Sequence, residues 1–427
     1  MITQINKFSY YSLVMKIAVL SDLHFGYAYN SELENDCFDN AEEAIEKSLD
    51  SDLIILGGDI FDIRAPKTQT WGKALKILSK PLLRDNPNIK LVETDKQLKE
   101  ISQRSLNHIP VIAIAGNHER LVKGDVNTVE ALENAGLAIH LHLNTMVFEK
   151  GGIKVAIHGM SSVPERYAKE VLDKWNPKPV EGCVNILVMH QSIDPYVYSP
   201  LEPPSLSLSN LPKGFDIIIN GHLHGHNIEK LDGTVLMIPG STVITQFEKN
   251  EASTDKVIGR ITIENEITTE FIPLETNRKF YYEELTIDQT TLTLREQIER
   301  QLTQILYSNE HNKKPIIRMK LKGRDTNILD QDLRNAENKF SDKAVLILVK
   351  ELESQELTEK RELLKNLREQ KLSVEELGLN LLKKNLEEFG MENEFDYDTM
   401  FHLLSEDQTE SALNILLGQQ TTLQTFR

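Results

Sequence analysis

Five short motifs rich in aspartate, histidine and asparagine contain the residues best suited to chemistry in this chain. Together they hold three Asp, one Asn and five of the twelve His residues. The motifs are Asp22-Leu23-His24, Gly57-Gly58-Asp59-Ile60-Phe61-Asp62, Gly116-Asn117-His118-Glu119, His190-Gln191 and Gly221-His222-Leu223-His224. Oxygen and imidazole ligands without thiolate suit Mn, Fe or Zn, and one carboxylate can bridge two such cations. The motifs therefore predict a two-metal site.

A pair of divalent cations suits the hydrolysis of a phosphoester. Two cations about 3.5–4 Å apart polarise the phosphoryl oxygens and turn a bound water into a nucleophile near neutral pH. His118, next to Asn117, is predicted not to bind a metal. Its imidazole would instead protonate the leaving oxygen. Asp62 is a candidate to orient that imidazole. Glycines flank the motifs, so the backbone can turn sharply and approach the cations without a Cβ clash.

Each motif follows a short run of aliphatic or β-branched residues, which is typical of buried strands in an α/β (α+β) fold. The five runs are residues 17–20, 53–56, 111–114, 186–189 and 217–219. Because α/β sheets present ligands at the carboxyl ends of their strands, we expect the motifs to lie together. Residues 67–108 interrupt this pattern, and helices are predicted there around 71–83 and 97–106.

Changes of pattern along the chain predict four regions. Residues 1–15 are an extension without periodicity, and Met15 is a candidate for the true start of the working protein. Residues 16–279 carry all five motifs and form the predicted catalytic domain. Residues 280–352 alternate strand and helix patterns, which predicts a small βαβαβ domain. Residues 353–427 are rich in Leu and acidic residues, and their apolar spacing predicts a helical tail.

Composition narrows the classes of protein to which this chain can belong. Its 427 residues suffice for two to three domains, and 48 Lys plus Arg against 65 Asp plus Glu give a net charge of −17. That balance excludes nonspecific adhesion to phosphate backbones as a property of the whole chain. Only Cys37 and Cys183 are present, which predicts a reducing, cytoplasmic location. No apolar stretch reaches the roughly 20 residues that span a bilayer, so no membrane association is expected.

The order of the DxH, GDxxD, GNHE and GHxH motifs resembles the signature of the calcineurin-like metallophosphoesterases, over residues 16 to about 250. This resemblance implies a two-layered β-sandwich flanked by helices. It also implies the ligand sets, with Asp59 bridging the two metals. One metal would be held by Asp22, His24 and His224, and the other by Asn117, His190 and His222.

Within that superfamily the chain most resembles nuclease subunits of the double-strand-break repair complex, of the meiotic-recombination-eleven or SbcD type. The residues that carry this resemblance are Asp22-Leu23-His24-Phe25-Gly26, Gly58-Asp59-Ile60-Phe61-Asp62 followed by Pro66, Met189-His190-Gln191 and Pro239-Gly240-Ser241-Thr242. The resemblance implies an exonuclease and endonuclease that hydrolyses DNA ends and hairpins. It implies two Mn²⁺ per chain, with Mg, Fe or Zn as alternative metals.

The same resemblance implies interaction partners and a cellular location. Residues 280–352 correspond to a capping domain, and residues 353–427 lie where the family docks on an SMC-like ATPase. Helices within 67–108 would form a homodimer, and the protein would be prokaryotic and associated with the nucleoid. Asp62 departs from many archaeal and eukaryotic members, which have His there, and this leaves the exonuclease polarity open. The stretch 81–108 is longer than usual, so the dimer surface is expected to differ.

Two surface patches have a functional and an ordinary interpretation. Arg318, Lys320 and Lys322 alternate on one face of a predicted strand. That face would contact DNA phosphates, or it is the solvated face of a small sheet. In the tail, a helical stripe would bind the ATPase partner or pack back on the capping domain. The residues of this stripe are Leu379, Leu382, Leu386 and Phe389.

Two alternative functions remain open at this point. The first is a phosphoesterase that acts on small phosphodiesters or phosphoproteins, which the acidic balance and the pair Asp62 and Arg64 favour. It leaves the small domain and the helical tail unexplained. The second is a scaffold that bridges DNA ends and an ATPase. No member of the predicted ligand set is missing, so nothing in the sequence favours the scaffold over an enzyme.

Overall fold

The computed structural model describes most of the chain up to residue 352. The described residues are 14–120, 126–197, 205–286, 293–307, 313–323 and 330–352, with single positions 378, 379, 383, 399, 401 and 413. Residues up to 352, apart from 199–203, belong to one compact unit, and the remaining residues belong to a second. Of the predicted tail stripe, only Leu379 is described, as a half-buried helical residue. Leu382, Leu386 and Phe389 lie outside the described residues.

The strands of the described residues form two large sheets and two small ones. In chain order they are β1 (Met15–Leu20), β2 (Leu53–Leu56), β3 (Lys90–Thr94), β4 (Val111–Ala113), β5 (Ile139–His140), β6 (Asn144–Lys150), β7 (Ile153–Met160), β8 (Val184–Met189), β9 (Ile193–Asp194), β10 (Leu206–Ser207), β11 (Ile217–Asn220), β12 (Asn227–Leu231), β13 (Thr234–Ile238), β14 (Val257–Ile263), β15 (Ile267–Pro273), β16 (Phe280–Thr286), β17 (Ile316–Gly323) and β18 (Val345–Leu352). The first large sheet has the order β15-β14-β1-β2-β4-β5, and the second has the order β12-β13-β11-β8-β7-β6-β3. Strands β9 and β10 pair separately.

Helices cover the outer faces of the two large sheets and one face of a third. In chain order they are α1 (Asp36–Ser48), α2 (Thr68–Leu78), α3 (Gln103–Leu106), α4 (Thr128–Asn134), α5 (Glu165–Trp175), α6 (Lys249–Ala252), α7 (Leu294–Tyr307) and α8 (Asp330–Phe340). Short 3-10 helices cover 80–83, 98–100 and 208–210. Among the described residues, no helix has the length and apolar character needed to cross a membrane.

Successive side chains of each strand point to opposite faces of its sheet. The two large sheets form a sandwich, and its main core lies between them. Ile17 and Val19 of β1 pack with Ile186 and Val188 of β8 in that core. The intervening residues of the first sheet, such as Ala18, face α1, α2 and α4. The outer face of the second sheet packs on α5. This confirms the predicted α/β fold, a two-layered sandwich flanked by helices.

The region 67–108 differs in part from its prediction. Helix α2 occupies the first predicted helical stretch, but residues 97–106 form only a 3-10 turn and the single turn of α3. Between them β3 pairs antiparallel with β6 at the edge of the second sheet. The prediction of an inserted helical pair was therefore wrong for its second member. Most residues of β3 are exposed, so the strand lacks the apolar alternation by which sequence analysis finds strands.

Residues 280–352 have the predicted βαβαβ pattern in their described part. Strands β16, β17 and β18 run parallel, with β17 in the centre. Leu294, Ile298 and Leu302 of α7 pack under this sheet against Ile317 and Met319 of β17. We call 280–352 the cap. Its boundary at 279/280 stays a prediction, because both sides belong to one compact unit.

Residues 275–278, which lead into the cap, are hydrogen-bonded to side chains of α1. Arg278 is buried and makes two hydrogen bonds to the Asp36 carboxylate, of 2.7 and 3.0 Å, and a third to the backbone oxygen of Lys314. About two turns further along α1, the Glu43 carboxylate accepts hydrogen bonds from the backbone N–H groups of Glu275 and Thr276. Helix α1 therefore fixes the start of the cap through paired charges and backbone groups.

We expect Glu43→Gln to destabilise the protein at neutral pH and to matter progressively less in acid. Partial burial acts to raise the pKa of Glu43, but hydrogen bonds from Thr276, Glu275 and Lys47 outweigh it and lower that pKa to about 2. The stabilisation by ionised Glu43 is thus complete above its ordinary pKa of 4.5 and is lost as the pH falls through 2. Urea unfolding of both proteins at neutral pH, near pH 4.5 and near pH 3 measures the difference. A difference that stays constant across the three would contradict the prediction, and Glu46→Gln, on the exposed side of α1, is the matched control.

Candidate metal centre

The five motifs meet at one edge of the sandwich. They follow β1, β2 and β4 of the first sheet and β8 and β11 of the second. Within the first sheet β1, β2 and β4 run parallel to one another, and within the second sheet β8 and β11 do. Their carboxyl ends therefore lie side by side, as expected for ligand sites in α/β proteins. The structure brings together all seven predicted metal ligands: Asp22, His24, Asp59, Asn117, His190, His222 and His224.

The first cluster consists of Asp22, His24 and His224, whose ligand atoms lie within 4.8 Å of one another. The Nε2 atoms of the two imidazoles are 3.2 Å apart, and Asp22 Oδ1 is 3.7 Å from His224 Nε2. Asp22 is fully buried, and its Oδ1 has no hydrogen-bond partner. A buried carboxylate oxygen without a donor is costly unless a cation satisfies it. These donors therefore fit a divalent metal.

The second cluster consists of Asp59, His190, His222 and Asn117. Asp59 Oδ2 lies 3.2 Å from His190 Nε2. The Oδ1 of Asn117 lies 3.1 Å from that same nitrogen and 3.0 Å from His222 Nδ1. Two carboxylate or amide oxygens and two imidazoles thus converge on one point. The oxygen and nitrogen donors of this cluster also suit a divalent cation.

Three of the histidines also have a hydrogen-bond partner at Nδ1, the ring nitrogen that faces away from the clusters. His24 Nδ1 contacts the Asp62 carboxylate at 3.1 Å, and His190 Nδ1 contacts the backbone oxygen of Gly57 at 2.8 Å. His224 Nδ1 lies 2.6 Å from the hydroxyl of Thr245. Each partner holds its ring so that Nε2 faces the cluster, as outer partners of metal-binding histidines do.

His118 lies at the rim of the two clusters. Its side chain is 37% exposed, and its Nε2 is 3.9 Å from Asp59 Oδ2. Its Nδ1 donates to the backbone oxygen of Asp62, and its backbone N–H donates to Asp59 Oδ1 at 2.9 Å. Asp62 therefore contacts His118 through its main chain, whereas its carboxylate contacts His24. The Nε2 of His118 therefore faces Asp59 of the second cluster.

Comparison with known proteins places this geometry in a family. Residues 15–226 match the family described as calcineurin-like phosphoesterase. This part of the chain is a calcineurin-like phosphoesterase domain. The chain is 27% identical over 312 residues to the DNA double-strand break repair protein Mre11 of Methanopyrus kandleri, covering 67% of this chain and 63% of that protein. It is 26% identical over 314 residues to the double-strand break repair protein MRE11 of Mus musculus, covering 64% of this chain and 43% of that protein.

The match with these relatives is partial. The chain spans less than two thirds of the length of either one. Among solved structures, a putative 5'-nucleotidase from Staphylococcus aureus is 14% identical with a TM-score of 0.36, covering 69% of this chain and 58% of that one. Because the family match covers residues 15–226, the assignment to calcineurin-like phosphoesterases applies to that domain.

Several metal-ligand candidates of the phosphoesterase domain have an unusual backbone. Asp22, His24, Asp59 and His222 have positive φ angles, between 47° and 82°. Residues with side chains rarely occupy this left-handed region, at a cost of about 1–3 kcal/mol each, and such strain concentrates at functional sites. The surrounding loops must therefore hold these four residues in place. Asp and His occupy this region more often than most residues with side chains, but their types do not predict at which positions they do so.

Burial and neighbouring charges shift the pKa values of several residues of the site. Burial raises the pKa of the Asp22 carboxyl. Burial acts the same way on Asp59, but the neighbouring His190 outweighs it and lowers the pKa of Asp59. Burial lowers the pKa of His190, yet the Asp59 and Asp22 carboxylates reverse this and raise it to about 9. The raised pKa of His190 shows that the two buried carboxylates favour a positive charge beside them, and a divalent cation would supply one.

Glu119 is a residue of the site to which the sequence analysis assigned no role. Its buried carboxylate accepts hydrogen bonds from three backbone N–H groups, of Asp59 at 3.0 Å and of Phe61 and Gly116 at 2.7 Å. It thereby ties the loop after β2 to the loop after β4. The signal was present, because an acidic residue inside a GNHE motif of a strand-end loop is well placed to bind backbone N–H groups.

Gly116 lets the loop after β4 approach Asp59 closely, and we expect Gly116→Ala to disrupt the centre. A Cβ at this position would lie 2.0 Å from Asp59 Oδ1, so the variant should lose metal affinity and about 1–3 kcal/mol of stability. Gly72→Ala is the matched control, because Gly72 lies exposed on α2 with nothing within 4 Å of an added Cβ. That change should leave stability unchanged or raise it by up to about 1 kcal/mol. Urea unfolding and Mn²⁺ titration test both variants, and equal metal affinity in the two would contradict the expectation.

The predicted cationic face of β17 is partnered by acidic residues. Lys320 lies 3.9 Å from Glu351, and Lys322 lies 2.7 Å from Glu284. Arg318 lies 3.2 Å from Glu248, which belongs to the phosphoesterase side of the structure. The alternation itself is as expected, since Ile317, Met319 and Leu321 are buried on the opposite face. A role in DNA binding for the three cations stays a prediction.

Proposed function

We propose that this chain is a DNA double-strand-break repair nuclease that hydrolyses phosphodiesters at DNA ends and hairpins with two Mn²⁺ ions. The observation that carries the proposal is the pair of donor clusters, one around Asp22 and the other around Asp59, with His118 3.9 Å from Asp59. The names of the relatives, DNA double-strand break repair proteins, supply the substrate class. Asp22, His24 and His224 would hold one ion, and Asn117, His190 and His222 the other, with Asp59 between them.

In the proposed reaction, some residues orient the metal ligands and His118 donates a proton. When bound, the two cations would supply Lewis acidity towards the phosphoryl oxygens and activate water. Asp62, Gly57 and Thr245 keep the ligand rings oriented. His118 carries a proton on Nδ1, which the Asp62 carbonyl accepts. Its Nε2, once protonated, donates to the leaving sugar oxygen, which is general acid catalysis.

The partners proposed for this nuclease follow from the sequence. An SMC-like ATPase would dock on residues 353–427, whose acidic composition makes direct contact with DNA unfavourable. A homodimer would form through residues 67–108, where α2 lies beside α1. The strand β3 within this region gives it a surface different from a pair of helices. Both interactions can be measured with the purified chain, by light scattering for the dimer and by co-purification for the ATPase.

The experiment that tests the function compares substrates with one enzyme preparation. The full chain is incubated with Mn²⁺ and linear duplex DNA, hairpin DNA, a small chromogenic phosphodiester or a phosphopeptide. We expect cleavage of both DNA substrates, and loss of that cleavage on chelation. Hydrolysis of the small phosphodiester without DNA cleavage, also in the presence of the ATPase, would overturn the proposal.

One observation favours a second candidate, a phosphoesterase for small phosphodiesters or phosphoproteins. The cations of β17 that would meet DNA are each close to a carboxylate, and the chain carries a net charge of −17. A small substrate needs no such cationic surface. The same substrate panel separates the two functions.

A further inference from the structure

A segment outside the five motifs contacts the metal centre directly. Residues 241–251, which we call the strap, follow β13 and lead into α6. The hydroxyl of Thr245, in the middle of the strap, lies 2.6 Å from Nδ1 of His224. With Nε2 of His224 turned towards the first cluster, Nδ1 carries the proton and donates it to Thr245. Thr245 therefore determines the orientation of this ring.

Thr245 is itself held by Glu251 at the end of the strap and, through Glu251, by Lys256. The Glu251 carboxylate accepts hydrogen bonds from the backbone N–H groups of Thr245, Gln246 and Phe247, at 3.1, 2.9 and 3.0 Å. Lys256 is 2% exposed, and its Nζ lies 2.7 Å from Glu251 and 3.4 Å from the backbone oxygen of His224. A buried ion pair thus joins the strap to the loop that carries His224. Such a pair is kept rigid because breaking it would leave a buried charge without a partner.

The cap holds the other side of the strap. Nη1 of Arg318 donates to the backbone oxygen of Phe247 at 2.8 Å and lies 3.5 Å from that of Gln246. The ring of Phe247 packs edge-to-face on Phe280 of β16, with the ring centres 5.9 Å apart. Ile347 of the cap packs in the same small cluster. The carbonyl groups next to Thr245 are therefore fixed by a residue of the cap, about 70 residues further along the chain.

We infer that the strap couples the cap to the metal centre, with Thr245 and Arg318 as positioning residues for His224. This inference rests on the proposed function, since it assigns His224 to a metal. Arg318 then acts on the metal through backbone carbonyls rather than by contacting DNA. A change in an outer partner of a metal-binding histidine typically alters metal affinity 10- to 100-fold. The coupling is therefore measurable in metal binding without any nucleic-acid substrate.

The test measures Mn²⁺ binding to the full chain by electron paramagnetic resonance and calorimetry. Thr245→Val removes the hydroxyl at nearly constant volume and should weaken one Mn²⁺ site about 10-fold or more. Thr245→Ser restores the hydroxyl and should restore the affinity. Arg318→Ala should weaken the same site, whereas Arg295→Ala should not. Arg295 is a half-exposed arginine of α7 whose Nε binds Glu299 on its own helix.

The outcomes separate the inference from the proposed function. If the wild-type chain binds no divalent metal, the proposed two-metal site fails and the inference fails with it. If the wild type binds Mn²⁺ and both Thr245→Val and Arg318→Ala bind it equally well, the inference alone is overturned. Urea unfolding checks that each variant is folded. Should Arg318→Ala not fold, Arg318→Lys, which keeps the charge but loses the planar donor group, takes its place.

Discussion

Replacing His118 by alanine is expected to lower the rate of Mn²⁺-dependent DNA cleavage by about 10²–10⁴-fold. The imidazole lies at the rim of the centre with its Nε2 3.9 Å from Asp59, so its loss would remove the proposed proton donor for the leaving oxygen. Its ring is not a member of either ligand cluster that we assign, and Mn²⁺ affinity should therefore stay close to that of the wild type. Cleavage of linear and hairpin DNA under single-turnover conditions measures the rate.

The matched control for His118→Ala is His226→Ala. His226 follows the last motif by two residues, but its ring packs edge-to-face on Phe271, with the centres 4.6 Å apart. It has no part in the assigned ligand sets, so its removal should leave the cleavage rate within a few-fold of the wild type. Equal rates for wild type and His118→Ala, with both proteins loaded with metal, would remove His118 from the mechanism.

Replacing Asp59 by asparagine is expected to have the largest effect of any single change at the centre. Asp59 is 2% exposed, and both of its oxygens are engaged, one with His190 Nε2 and one with the backbone N–H of His118. The substitution keeps the shape but removes the negative charge that Asp59 would share between the two ions. Metal ions supply several kcal/mol of transition-state stabilisation, so cleavage should fall about 10³-fold or more. Bound Mn²⁺ per chain should fall together with the rate.

Asp216→Asn provides the comparison for Asp59→Asn. Asp216 directly precedes β11, at the end of the strand opposite the metal centre, and its carboxylate accepts a hydrogen bond from the backbone N–H of Asn185 at 2.7 Å. An asparagine oxygen can accept the same hydrogen bond, so metal content and cleavage should stay unchanged. Full metal occupancy and undiminished cleavage in Asp59→Asn would show that this carboxylate does not join the two ions.

Much of the fold follows from local apolar patterns. Strands such as β2 and β11 lie where the aliphatic runs predict them, because buried strands are continuous apolar segments whatever their partners are. The prediction was wrong for residues 97–106 and did not include β3. The latter strand depends on pairing with β6 at the edge of the second sheet. An edge strand with exposed side chains carries little of its own hydrophobic signal.

The chemistry of the site was largely evident from the residue types, whereas its fine geometry was not. Asp, His and Asn that directly follow five buried strands must gather at one edge of a sandwich, so the donors and their reaction class can be inferred from order and spacing. Which nitrogen of each ring faces the centre depends on partners far away in sequence. Asp62 binds His24 rather than His118 by its carboxylate, and Thr245 binds His224.

By itself, the sequence predicted the donor residues, an α/β fold and hydrolysis of a phosphoester, because motifs and apolar runs need only local order. The two-layered sandwich and the division of the ligands between two metals followed from the family resemblance. Only the tertiary structure decided the positive φ angles of Asp22 and Asp59. It alone also placed Arg318 against the strap instead of in open solvent. The physical reason is that strain and outer-partner contacts arise when elements distant in the chain pack together. Their energies belong to the packed assembly and leave no periodic pattern in the sequence.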